Sequence, residues 1–174
     1  GEFYSMCQRA MALAEKGEDL SQRDYRFHFY PWWQEPGYRM SGATPSLHAV
    51  QTEACAPLQR AWDRSSSLGG AAQAAAHWSE CMWPWEHVGN SAADGILDDE
   101  TYDWLPVLGA MAESHGSPVV VSEAHVLQAN DLGCRTTGID ASHTGTAGLA
   151  GLLAVRDEVR ADERVAVIFS GIRR

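Results

Sequence analysis

Apolar positions recur with a helical period from Phe3 to Ala14: Phe3, Met6, Cys7, Ala10, Leu13 and Ala14 follow i, i+3, i+4 spacing. Gly17 stands where a left-handed C-cap would close that helix. The rhythm dissolves across residues 18–45, where aromatics and turn formers crowd into Tyr30-Pro31-Trp32-Trp33 and Glu35-Pro36-Gly37, the mark of a long ordered loop or insertion. Regularity returns at Leu47–Gln51, a strand, followed by a helix from about Ala56 to Arg64. Ser65–Gly70 reads as a flexible break and Ala71–Cys81 as a short helix. Pro84 makes Met82–Trp85 a loop. A further helix is expected from about Glu100 to Ser114, with Asp98 or Asp99 near its start and Gly116 beyond its end; Pro106 requires it to start late or to kink. Pro118–Val121 is a β-branched run typical of a buried parallel strand. Ser122 and Glu123 cap and charge a helix running through Leu132. Thr144–Arg160 reads as an apolar helix whose Gly145, Gly148 and Gly151 permit close packing. Arg164–Phe169 reads as a last buried strand. Strands alternating with helices predict an α/β fold with a mainly parallel sheet flanked by helices, in a single domain over residues 1–174. Ligands of such sheets sit beyond the carboxyl ends of the strands, where Ser170 and Gly171 follow the last one.

Composition narrows the classes of function. The 174 residues are 45% hydrophobic and 21% charged, ordinary for a globular domain. A chain of this length can bury roughly 70% of its unfolded surface. The net charge of −10 argues against nucleic acid or an anionic membrane as main partner, since both need clustered Lys and Arg. The longest apolar run, Gly145–Val155, is far short of the roughly 20 residues a bilayer demands. Cys7, Cys55, Cys81 and Cys134 lie far apart, which favours reduced thiols and a cytoplasmic setting over a disulfide scaffold. Lys16 is the sole lysine.

Four stretches, taken in order, resemble one family: Gly1-Glu-Phe-Tyr-Ser-Met6, Leu47-His-Ala-Val-Gln-Thr-Glu53, Ala92-Ala-Asp-Gly-Ile96, and Thr144-Gly-Thr-Ala-Gly-Leu-Ala-Gly151 followed by Ala166-Val-Ile-Phe-Ser-Gly171. The chain from residue 47 onward is similar to the C-terminal half of fold-type II pyridoxal-phosphate enzymes, the group of threonine synthase, threonine dehydratase, serine racemase and the tryptophan synthase β chain, with threonine synthase-like members nearest. The resemblance implies pyridoxal 5'-phosphate as cofactor, an amino-acid substrate, elimination or replacement chemistry, and a homodimer. It implies that Ser170 hydrogen-bonds the pyridine nitrogen, where a neutral hydroxyl tempers the ring as an electron sink. Gly171 would let the backbone turn close to the ring. Gly1 would be the last glycine of the phosphate cup, offering a backbone N–H at a helix N-terminus. Ala93, Asp94 and Gly95 match a loop that passes the cofactor with its main chain.

The departures matter as much. The family's Schiff-base lysine lies well before the phosphate cup and has no counterpart here; Lys16, in Glu15-Lys-Gly-Glu18, sits on a polar helix end. Ser142-His143 stands where family members often carry an acid. At the positions of the divalent-cation site of serine racemase-like members stand Gln51, Cys55 and Pro57, so no metal is expected there. The expectation is therefore a cofactor-binding portion whose lysine comes from an N-terminal half or a separate chain. The rival is a non-catalytic α/β regulatory or interaction subunit derived from that fold.

Other groupings carry weaker chemistry. His77, Cys81 and His87, beside Glu80 and Glu86, could serve a zinc-dependent hydrolytic site, but the interleaved Trp78, Trp83 and Trp85 favour a packed aromatic loop. Cys55 or Cys134 with a base such as His48 lacks any activating signature. Asp98–Glu100 fits a charged helix start. The block from Tyr25 to Tyr38 fits either a substrate-pocket wall or a subunit interface. His143, Thr144 and Thr146 fit helix capping better than contact with a ligand.

Overall fold

The computed structural model describes residues 45–172. Gly1, the helix expected over Phe3–Ala14 and the aromatic loop of residues 18–45, save its last residue, lie outside the described residues. Strand β1 (Ala49–Thr52) pairs in parallel with β2 (Pro118–Val121), Val50 opposite Val119 and Thr52 opposite Val121. Between them the chain forms α1 (Pro57–Leu68), α2 (Ala71–Ala74), α3 (Trp78–Cys81) and α4 (Trp104–Glu113). After β2 come α5 (Glu123–Thr137) and α6 (Ala147–Ala154). The fold class is the predicted one, a parallel α/β arrangement flanked by helices.

The period-2 alternation of the strands sorts the layers. Val119 and Val121, with Val50 against them, pack on Val126 and Ala129 of α5 and Ala150 of α6. On the other face Gln51 accepts the Gln59 N–H of α1 at 3.0 Å. Beyond it Leu58, Ala61, Met82, Trp104, Leu108 and Met111 form a second core among α1–α4. Gly116 feeds β2 because a Cβ there would lie 1.7 Å from the Leu47 carbonyl oxygen. No helix among the described residues is long and apolar enough to cross a membrane.

Several boundaries differ from the sequence expectation, each for a physical reason. Ser65–Gly70 is not a break: α1 continues to Leu68, and Ser65, Ser66 and Ser67 return their hydroxyls to carbonyls three or four residues back. Gly69, at φ +100°, then closes the helix. Ala71–Cys81 is two short helices rather than one. The helix expected from Glu100 begins at Trp104, so Pro106 falls in its first turn, where no intrahelical N–H is needed. The apolar helix spans only Ala147–Ala154, because residues 143–146 form a turn and Arg156–Glu158 offer nothing to bury. Arg164–Phe169 is not a buried strand. Its β-branched residues extend the chain, with Val167 and Phe169 half-buried beside Gly148 of α6 and Gly133 of α5. Yet Ile168 is 79% exposed, and Val165–Phe169 make no backbone hydrogen bond among the described residues.

Candidate functional site

The site is built on the turn Ser142–Thr146. Ser142 accepts the Gly145 N–H on its hydroxyl at 2.9 Å, and Thr146 donates its hydroxyl to the Ser142 carbonyl at 3.2 Å. Asn130, 3% exposed on the inner face of α5, donates to the Ala141 carbonyl at 2.9 Å and to the Thr146 hydroxyl at 3.3 Å. The turn is thus fixed from below by one buried amide.

The chain end docks on this turn. The Ser170 N–H donates to the Gly145 carbonyl and the Ser142 N–H to the Gly171 carbonyl, both at 3.1 Å. A Cβ on Gly145 would lie 2.0 Å from the Gly171 carbonyl oxygen, so only glycine permits that approach. Ser170 is exposed, and its hydroxyl makes no hydrogen bond to the described residues.

The third piece is the loop before the 3-10 turn Asp94–Ile96. Ala93 is fully buried in the core under the sheet. The Gly95 N–H donates to the Thr144 hydroxyl at 3.1 Å, and a Gly95 Cβ would meet that threonine's methyl at 2.9 Å. Upstream, Glu123 accepts the Ala92 N–H at 2.8 Å. Glu123 follows β2 directly, behind the Ser122 cap whose hydroxyl accepts the His125 N–H. The assembly therefore lies on the carboxyl side of the parallel strands, and it brings together Ala93, Gly95, Ser170 and Gly171. Gly1 lies outside the described residues.

Thr144 is no helix cap, contrary to the sequence expectation; its hydroxyl serves the Gly95 loop. Asn130 and the long reach of Glu123 were missed. Asn130 carries a readable signal, a polar residue on the helix face of Val126, Ala129 and Gly133. Glu123 carries none, because an acid in a first turn is ordinary.

The remaining groupings have structural roles. His77 pairs with Glu80 at 2.8 Å, Cys81 is buried in the second core, and Glu86 bonds Arg60 and Trp83. Among the described residues no group of three or more His, Cys, Asp or Glu comes together to hold a metal. His48 bonds Ser117 rather than Cys55, whose buried thiol donates to the Asp98 carbonyl. Burial and then the nearby Asp99 and Asp98 push that thiol above its ordinary range. Asp98 and Asp99 precede α4 instead of starting it, and the Asp99 carbonyl accepts the Trp85 N–H. Arg60 stacks 3.6 Å over Trp83 and 5.0 Å from Trp85, fastening the tryptophan loop to α1. Beside it an open cleft of about 500 Å³, lined by Glu53, Gln59, Arg64 and Val120, lies on the α1 face and shares no lining residue with the Ser142–Thr146 turn.

No family model matches the sequence, and no curated protein matches it. Among solved structures, a T.th. threonine deaminase is similar, with a TM-score of 0.54 and 21% identity. The likeness covers 73% of this chain and 39% of that one, so the described α/β unit has the fold of part of that enzyme. It supports the fold family that the motifs resemble and no particular member.

Proposed function

We propose that this chain, folded like part of a threonine deaminase, is the cofactor-binding portion of a pyridoxal-phosphate enzyme acting on an amino acid. The observation that carries the reading is the meeting of Ser170–Gly171, the Ser142–Thr146 turn and the Ala93–Gly95 loop beyond the carboxyl ends of β1 and β2. Crevices at that edge are where open α/β sheets bind ligands.

The residues present suit a flat heteroaromatic group. Gly145 leaves main chain where any side chain would intrude, Gly171 presents bare backbone beside it, and Ser170 exposes a hydroxyl next to them. Bound pyridoxal phosphate supplies an electron sink for a carbanion on the amino acid. Ser170 would hold the ring nitrogen through a neutral hydroxyl and so leave it unprotonated, which suits elimination or replacement better than transamination. Gly1 would offer its N–H to the phosphate. Gly95 and Ala93 would run their main chain past the ring, with Asp94 exposed between them. The reaction class we favour is threonine synthase-like, with dehydratase-like elimination next. The lysine that binds the cofactor would come from a lysine-bearing N-terminal half or chain, and the assembly would be a homodimer.

A non-catalytic regulatory or interaction subunit is the second reading, favoured by Lys16 being the sole lysine. One experiment separates them: a visible absorption spectrum of the natively purified protein, paired with a denaturing mass spectrum. A cofactor band together with a second, lysine-containing polypeptide, the band weakened by Ser170→Ala, is the expected result. No band after added pyridoxal phosphate, with this chain alone in the sample, would overturn the enzymatic reading.

A further inference from the structure

We infer that Glu123 is a positioning residue for this site, its carboxylate clamping the Ser91–Ala93 segment so that the loop through Gly95 is presented at the carboxyl end of β2. The clamp is a matter of geometry; only the purpose of the loop rests on the reading above.

One Glu123 oxygen accepts the Ala92 N–H at 2.8 Å, from a residue 31 positions earlier in the chain. The Ser91 side chain stands beside the same carboxylate. The Ser91 hydroxyl oxygen in turn accepts the Ala93 N–H at 3.1 Å. The acid therefore holds Ala92 directly, with Ser91 beside it and bonded in turn to Ala93. Ala93 is buried against the underside of the sheet, and Gly95 is held at the far side by Thr144 at 3.1 Å. The loop thus has two anchors, one on the element that follows β2 and one on the turn that docks Ser170–Gly171.

An acid in a first helical turn ordinarily answers the helix dipole and the free N–H groups of its own helix. Here that task belongs to Ser122, whose hydroxyl accepts the His125 N–H at 3.3 Å. Glu123 spends its hydrogen bonds on a distant loop instead. Its surroundings favour the charged form: the Ser91 hydroxyl first, then the Ala92 N–H, outweigh partial burial, and His143 on the turn before α6 adds a smaller electrostatic pull. His143 is the titratable group that faces it, and the carboxyl is held below its ordinary value of 4.5. Because the folded value is depressed, the clamp is complete above the ordinary glutamate range. It is released as pH falls through the lower folded value.

The test is amide hydrogen exchange on the full chain without cofactor, so that failure of the cofactor reading leaves its outcome intact. Glu123→Ala is expected to lower protection at Ala92 and Ala93 about tenfold or more, the loss typical of a charge-assisted bond, while Val119 and Val121 keep theirs. Glu123→Gln, which still presents an amide oxygen, should restore most of the protection. It should also abolish the drop expected of wild type as pH falls below the ordinary glutamate range. If Glu123→Ala unfolds the sheet, the Gln variant decides by its pH profile alone. Unchanged protection at Ala92 in the Ala variant, or an identical pH profile in wild type and Glu123→Gln, would overturn the clamp. A clamp that holds in exchange while natively purified Glu123→Ala keeps the wild-type cofactor band would overturn the positioning role.

Discussion

Replacing Gly145 by alanine puts the site's closest backbone approach to the test. The added Cβ would stand 2.0 Å from the Gly171 carbonyl oxygen, 2.8 Å from its carbon and 2.9 Å from its nitrogen, against an ordinary contact of 3.4 Å or more. All three atoms are backbone, so no side chain can swing away; residues 170–172 must move. That movement sacrifices the Ser170-to-Gly145 and Ser142-to-Gly171 hydrogen bonds. Overpacking costs about 1–3 kcal/mol, and each lost hydrogen bond adds about 1 kcal/mol. The stiffer unfolded chain returns roughly 0.4–1 kcal/mol, leaving a net loss of about 3 kcal/mol. Gly171→Ala is the control: its Cβ would meet only the Ser142 hydroxyl at 3.3 Å and the Gly145 backbone, Cα at 3.8 Å, a change of less than about 0.5 kcal/mol. In urea, with a slope of roughly 1–3 kcal/mol per molar, the Gly145 variant should unfold about 1–3 M earlier than the Gly171 variant. Release of the chain end alone would instead show as lost protection at the Ser170 amide. Equal midpoints together with an unchanged Ser170 amide would refute the argument.

Two further outcomes are expected. Ser122→Ala removes the cap of α5 and should cost about 1 kcal/mol in urea unfolding, whereas Ser122→Asp should recover most of it. Among the described cysteines, Cys55 and Cys81 are fully buried, with thiols pushed above the ordinary range chiefly by that burial. Iodoacetamide followed by peptide mass spectrometry should therefore label the half-buried Cys134 well before either.

The sequence signals that survived are those in which local chemistry and tertiary demand agree. Val119–Val121 is apolar on both faces and became the strand it resembled; Ser122 and Glu123 began the helix they announced. Signals that failed were overruled by something non-local. The serines of α1 look like a linker because their hydroxyls compete for backbone, yet inside the helix they satisfy that competition by bonding backward. Arg164–Phe169 has the composition of a strand, but a strand is a relation between two segments, and the described residues supply no partner. At the candidate site, motif order singled out Ser170, Gly171, Ala93 and Gly95, which the structure brings to one edge of the sheet. What joins them was not, since a Thr144–Gly95 bond spans 49 positions and leaves no periodic trace.

The extended run ending at Phe169 has a bearing on how the molecule behaves among its own copies. A short β-branched stretch whose amides and carbonyls find no partner among the described residues, and whose Val165 and Ile168 are exposed, is a template for edge-to-edge growth. Immediately ahead of it stand Arg160, Asp162, Glu163 and Arg164, with Arg160 bracketed by ion pairs to both acids. Charges placed beside such a stretch act as gatekeepers, because stacking identical copies would align like charges at strand spacing. Those few residues at one turn restrain such growth at the stretch itself, in addition to the general repulsion of a net charge of −10.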